Sequence, residues 1–255
     1  MDSPATLLNN SVYILAAAAS SKTELVYVFN KSTPEAKAII VVLAVFSIFA
    51  WSVMAAKAMQ MRRAKRLNQY FDTEYRAQPA VLGVHERGVQ VEGCPLFNVY
   101  QEGCRELVAR LKKPGGQSEK REVSLKSMEH VKRTLERTVA QEALKLESGL
   151  ILLAIAVSGA PFLGLLGTVW GVMSAFSGIA QAAAAGGRAD LAAMAPGVAA
   201  ALITTVAGLL VAIPSMFGYN WLVHTLRVMT VELDNFAQEL VSKMETEFLR
   251  DDDGT

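Results

Sequence analysis

The chain has 255 residues, 52% of them hydrophobic, and a formal net charge of only +1. That neutrality hides an asymmetry: 18 of the 25 Lys and Arg fall between Lys57 and Glu147, against 12 of the 24 acids. A basic excess confined to one segment and flanked by apolar stretches fits the positive-inside rule of membrane proteins and excludes a nucleic-acid binder.

Residues 1–37 read as an N-terminal segment ahead of the first span. Leu15 to Ser20 is small and apolar, but the start reads Met1-Asp2-Ser3-Pro4 without a basic region, and Asn9 and Asn10 precede the short core. A cleaved signal peptide is therefore not expected; a short amphipathic segment on the membrane surface or against the first span is.

The first span, residues 38–57, holds nineteen uncharged residues from Ala38 to Ala56. It is entered through Ser32-Thr33-Pro34-Glu35, a capping-box pattern with proline in the first turn. Lys57, Arg62, Arg63, Lys65 and Arg66 crowd its exit, which places the N-terminus outside and the following residues in the cytoplasm. Trp51, near the inner end, suits the interface.

Residues 58–147 read as a cytoplasmic helical domain. Pro79, Gly83, Gly88, Gly93, Pro95 and the break Lys113-Pro114-Gly115-Gly116 cut its first part into short helices. Leu96, Phe97, Val99, Tyr100, Cys104, Leu107, Val108 and Leu111 recur at spacings of three and four, the signature of one amphipathic helix. Cys94 and Cys104 should be reduced thiols there, and with no His pair nearby they make no zinc site. No phosphate loop, catalytic triad or carboxylate pair appears. No enzyme activity, metal or cofactor is expected.

From Gln117 the pattern stays helical, with Val123, Met128, Val131, Leu135, Val139, Leu144 and Leu146 among charged residues. No proline intervenes before Pro161, so one helix from 117 to 182, roughly 100 Å long, is expected. The second span occupies 148–186, an outer turn 187–192, the third span 193–223, and a charged helix and tail 224–255. Leu226, Met229, Leu233, Phe236, Leu240, Met244 and Phe248 predict a long amphipathic cytoplasmic helix after the third span. The fold class is an all-α membrane protein with three transmembrane helices, two of them extended into long cytoplasmic helices.

Between Ser148 and Val223 the only charged residues are Arg188 and Asp190, both in the turn. Ion pathways ordinarily carry an ionisable group inside the membrane. If ions cross here, the titrating group must come from another protein.

Both long spans carry small residues at helical spacing. Ala160, Gly164, Gly167, Gly171, Ser174 and Gly178 form one stripe, and Gly197, Ala201, Thr204, Gly208, Ala212 and Ser215 the other. Such stripes let backbones approach in lipid, as in ordinary helix packing, and they are the surfaces expected to drive oligomerisation. Thr168, Thr204 and Thr205 lie on or beside them; a threonine there either bonds its own helix or offers a hydroxyl to water or a carboxyl group. Pro161 and Pro214 each free a backbone carbonyl, and Pro196 opens the third span. A shared, partly wet interior follows.

The run Ala160-Pro161-Phe162-Leu163-Gly164-Leu165-Leu166-Gly167-Thr168-Val169-Trp170-Gly171-Val172-Met173, followed by Ala195-Pro196-Gly197 through Ile213-Pro214 to Tyr219-Asn220, resembles the two signatures of the TolQ/ExbB proton-channel family, to which MotA is distantly related. The likeness covers about residues 38–249, with Phe46-Ser47 in the first span. It implies a motor stator in the bacterial inner membrane, with residues 1–37 in the periplasm: a homopentamer around a pair of TolR/ExbD-type single-span partners, in which a partner aspartate carries the proton. Protein transport or envelope work through a TolA/TonB-type protein would follow. The family's pore threonines map onto Thr168 and Thr205. The stretch Phe46 to Trp51 and the helix ending near Phe248 look more TolQ-like than ExbB-like.

Two departures stand out. The family usually has glutamate three residues after Ala-Pro-Gly, where this chain has Ala200. Thr204 adds a hydroxyl where many relatives have alanine, and it could make an intrahelical bond or ligate Na⁺. H⁺ and Na⁺ both remain open as coupling ions. A non-conducting envelope scaffold is the alternative; a secondary transporter is disfavoured by the absence of an inverted repeat.

Overall fold

The computed structural model describes residues 34–111, 122–186 and 194–249. Six helices account for most of them: α1 Pro34–Arg76, α2 Gly83–Glu86, α3 Pro95–Leu111, α4 Leu125–Glu147, α5 Leu150–Ala184 and α6 Ala195–Phe248. Among the described residues the one extended pairing is an isolated parallel bridge, in which the Val123 N–H donates to the Phe248 carbonyl at 2.8 Å. The chain is all-α, and α1, α5 and α6 are each long and apolar enough to cross a membrane. The outer turn, the Lys113–Gly116 break, the tail from Arg250 and residues 1–33, which include Ser32 and Thr33 of the capping pattern, lie outside the described residues.

Contacts divide the chain into two compact units, residues 1–52 with 152–217 and residues 53–151 with 218–255. In the first unit the usual burial pattern is reversed. Ala50, Leu153, Ala156, Ala160, Ala201 and Ala212 are buried, whereas Ile48 is 73%, Phe162 71% and Leu210 69% exposed. Small residues permit close backbone contact, and most large apolar side chains turn outward, with Leu43 and Leu153 among the exceptions. In water that surface would be an association liability; in hydrocarbon it costs nothing. Leu43 of α1 packs with Ala160 of α5 and with Val211 and Ala212 of α6.

The second unit is built the other way round. Phe71 and Tyr75 of α1, Phe97, Tyr100 and Leu107 of α3, Met128, Val131 and Leu135 of α4, and Leu233, Phe236 and Leu240 of α6 share one core. Each such side chain contributes about 1.5–3 kcal/mol when fully buried. Phe71 sits 5.4 Å from Tyr100 and 5.5 Å from Phe97, centroid to centroid, and Tyr75 sits 5.3 Å from Phe236. A methyl on Gly103 would lie 2.6 Å from Leu135, so glycine sets how closely α3 meets α4. The Tyr100 hydroxyl donates to the Val81 carbonyl at 2.8 Å and accepts the His85 N–H at 3.0 Å, which ties down the link from α1 to α3.

The single helix expected from 117 to 182 is divided. α4 ends at Glu147, Ser148 leaves helical geometry with ψ 134°, and Gly149 has φ +82° before α5 starts at Leu150. The Ser148 N–H still donates to Leu144. Only glycine adopts that left-handed conformation cheaply, and it ends helices for that reason. The long continuous helices that carry an apolar segment on into a charged one are α1 and α6.

Candidate functional site

The site lies within the first unit, where α5 and α6 meet along their small-residue stripes. A methyl placed on Gly164 would come within 2.9 Å of the Thr204 carbonyl oxygen and 3.0 Å of the Thr205 Cα. One on Gly208 would come within 2.6 Å of the Ala160 carbonyl oxygen, and one on Gly171 within 2.6 Å of the Ala201 Cβ. Near the start of α6, a methyl on Gly197 would lie 3.2 Å from the Ala175 Cβ. The contact fades at Gly178, where nothing lies within 4 Å.

This geometry corrects the expectation that the stripes join subunits. From Ala160 to Gly171 and from Ala201 to Gly208 they occupy one another within a single chain, leaving no room there for a second copy. Pro161 and Pro214 lie inside their helices, and Pro196 falls in the first turn of α6, where its missing N–H costs nothing.

Two of the three threonines converge on one backbone oxygen, and the third lies beside them. The Thr204 Oγ1 is 3.1 Å from the Gly164 carbonyl oxygen and 2.6 Å from that of Ala201 in its own helix. The Thr205 Oγ1 is 3.2 Å from the same Gly164 oxygen and 3.5 Å from the Thr168 Oγ1. Thr168 donates to the Leu165 carbonyl at 2.7 Å. Thr204 is fully buried, whereas Thr168 and Thr205 are half-buried. Sequence reasoning did not single out the Gly164 carbonyl. Its only signal was a stripe glycine, and a missing side chain says nothing about which neighbours reach the bare backbone.

Ala200, where the resemblance leads to the expectation of glutamate, is 2% exposed and faces inward. Ser215, also buried, donates to the Val211 carbonyl at 2.7 Å. Among the described residues no group of three or more His, Cys, Asp or Glu is placed to hold a metal ion. Cys94 and Cys104 are free and buried, and burial pushes the Cys104 thiol up to about 12.

Large apolar side chains turned outward around a helix pair joined by glycines and hydroxyls make this a multi-pass helical membrane protein. Comparison with known sequences narrows the class. The chain belongs to the MotA/TolQ/ExbB proton channel family, whose model matches residues 98–235, a stretch containing all of α5 and most of α6. It is 29% identical over 213 residues to the biopolymer transport protein ExbB of Neisseria meningitidis, covering 84% of this chain and 93% of that protein. It is 30% identical over 220 residues to the Tol-Pal system protein TolQ of Haemophilus influenzae, covering 84% and 90%. A shorter match to ExbB of Xanthomonas campestris reaches 43% identity over 117 residues, 46% of this chain and 45% of that one.

Proposed function

We propose that this chain is the pore-forming scaffold, or stator subunit, of an ion-motive-force-driven motor in the bacterial inner membrane. The supporting observation is the Thr168–Thr205 hydroxyl pair, half-buried between α5 and α6 in a stretch, Ser148 to Val223, whose only charged residues are Arg188 and Asp190. A hydroxyl can donate to a carboxylate and accept from a carboxylic acid, so it serves both protonation states of a passing carboxyl group. That carboxyl group is the aspartate of a TolR/ExbD-type single-span partner, enclosed by a homopentamer of this chain. Ion flow then drives mechanical work on the envelope through a TolA/TonB-type protein, and this subunit breaks no covalent bond.

The TolQ-like reading rests on Phe46 to Trp51 and on the helix ending near Phe248. Relatives named ExbB and TolQ cover the chain to the same 84%, and the role proposed is the one both would share. H⁺ is favoured over Na⁺ because the Thr204 hydroxyl is fully buried between two carbonyls and is not presented to a passing cation. The N-terminus lies in the periplasm, with residues 58–147 and 224–255 in the cytoplasm.

The test is ion flux through the reconstituted complex of this chain with its aspartate-bearing partner. Thr168→Val or Thr205→Val keeps the volume and removes the hydroxyl, and should cut proton flux about tenfold, the effect of one strong hydrogen bond, with assembly unchanged. Flux should be indifferent to exchange of Na⁺ for K⁺. Wild-type flux in the double valine variant, or flux that needs Na⁺ and ignores the proton gradient, would overturn the proposal.

A further inference from the structure

We propose that Thr204 is a positioning residue: its buried hydroxyl sets whether the Thr205 proton points to the Gly164 carbonyl or to Thr168. The inference deepens the reading of Thr168 and Thr205 given above and rests on it for its functional consequence.

The geometry is a competition for one oxygen. A carbonyl oxygen has two lone pairs. Gly164 lies inside α5, so one lone pair takes the N–H of Thr168 in the ordinary helical pattern. The hydroxyls of Thr204 at 3.1 Å and Thr205 at 3.2 Å are then left with a single good site. Each hydroxyl has one proton and one other acceptor. For Thr204 it is the Ala201 carbonyl at 2.6 Å; for Thr205 it is the Thr168 Oγ1 at 3.5 Å. Thr168 commits its own proton to Leu165 at 2.7 Å, so its oxygen is free to accept.

Two arrangements follow. When Thr204 donates to Gly164, Thr205 turns to Thr168 and the two half-buried hydroxyls are linked. When Thr204 donates to Ala201, Thr205 returns to Gly164 and Thr168 is left open to another donor. Thr204 is 0% exposed, so its own hydroxyl does not meet a passing group. It acts through Thr205. Gly167 provides the space that holds it there, since any side chain on that residue would collide with the Thr204 hydroxyl.

The test is a double-mutant cycle on the complex with its partner, read as proton flux and its pH profile. Thr204→Val should lower flux about three- to tenfold, as for one misdirected hydrogen bond, and shift the pH midpoint. In a Thr205→Val background it should add nothing, and Thr204→Ser should restore both rate and midpoint. Equal loss from Thr204→Val in both backgrounds, or a serine variant as impaired as the valine one, would overturn the proposal in favour of packing.

A second readout does not depend on flux. Labelling glycine carbonyls with ¹³C and leucine amides with ¹⁵N selects the three Gly-Leu pairs at Gly149, Gly164 and Gly208. The Gly164 signal is identified by its loss in Leu165→Ile. Its carbonyl resonance should be the same in wild type and Thr204→Ser, shift in Thr204→Val, and respond more to Thr205→Val when residue 204 is valine. A resonance blind to Thr204→Val overturns the positioning role whatever the flux. A coupled resonance with unaltered flux in every variant upholds that role and overturns the stator reading instead.

Discussion

Gly167 of α5 and Thr204 of α6 pack so closely that a side chain on residue 167 would overlap the Thr204 hydroxyl and lie 2.6 Å from its Cβ. One residue thus fixes the helix separation from the glycine side and supplies a hydrogen bond to the neighbouring helix from the other. Gly167→Ala should therefore destabilise the folded chain by about 1–3 kcal/mol, the usual cost of overpacking. Thr204→Ala in the same chain removes the hydroxyl and methyl but keeps the Cβ that lies 2.6 Å away, so it should recover part of that loss and not all of it. Unfolding of the purified protein in detergent, followed by circular dichroism, measures both. A Gly167→Ala variant as stable as wild type would refute the close contact.

Gly208 offers the contrasting case. Its nearest obstacle is the Ala160 carbonyl oxygen, which is backbone and cannot be trimmed. Gly208→Ala should cost at least as much as Gly167→Ala, with no rescue from Ala160→Gly. Recovery of stability in that double variant would show that the helices slide apart freely at this end.

Much of this arrangement was legible in the sequence because it depends on spacing alone. Leu96 to Leu111 gave α3, Met229 to Phe248 gave the buried face of the α6 extension, and the two stripes gave the close faces of α5 and α6. What escaped depended on something other than spacing. Gly149 reads as a tolerated glycine inside a helical pattern, because one glycine costs only about 1 kcal/mol there and no proline reinforces it. Leu144 fits the apolar period of α4 yet is 64% exposed, while Glu142, two residues earlier, is buried and bonded to Lys145. Thr204 could be read as bonding within its helix or as a cation ligand. Its reach to Gly164 depends on the rotation of α6 about its axis, which no spacing rule specifies.

The two thiols should be inert in the folded chain. Cys94 and Cys104 are both 0% exposed, and burial raises both thiols, Cys104 to about 12, so almost no thiolate exists at neutral pH. Maleimide should leave native protein unmodified and label both after denaturation. Rapid stoichiometric labelling of the native protein would contradict the packing of α3.

Acid should loosen the second unit through Glu239. Hydrogen bonds from Lys243 and then Arg76 hold its carboxyl below the ordinary value of 4.5, against the opposing effect of burial. A depressed folded-state value means that the carboxylate stabilises the fold at neutral pH. That contribution is lost as pH falls below the ordinary carboxylate range and through the folded value. The melting temperature should fall with acidification in this window, and Glu239→Gln should flatten that dependence while lowering stability at neutral pH. An unchanged acid limb in the glutamine variant would assign the loss to other groups.

The orientation of the chain is testable only with introduced cysteines, since the native pair is shielded by packing whichever side of the membrane it occupies. Ala185, just beyond α5, and Leu125, which is 72% exposed at the start of α4, are suitable positions. The basic cluster from Lys57 to Arg66 predicts that Leu125 is cytoplasmic and that the end of α5 faces the periplasm. A membrane-impermeant maleimide should therefore label Ala185→Cys in intact spheroplasts and reach Leu125→Cys only after permeabilisation. Both substitutions remove an exposed side chain, so loss of fold does not confuse the result. Labelling of Leu125→Cys from outside, with Ala185→Cys protected, would invert the topology and place the charged extension of α6 on the same wrong side.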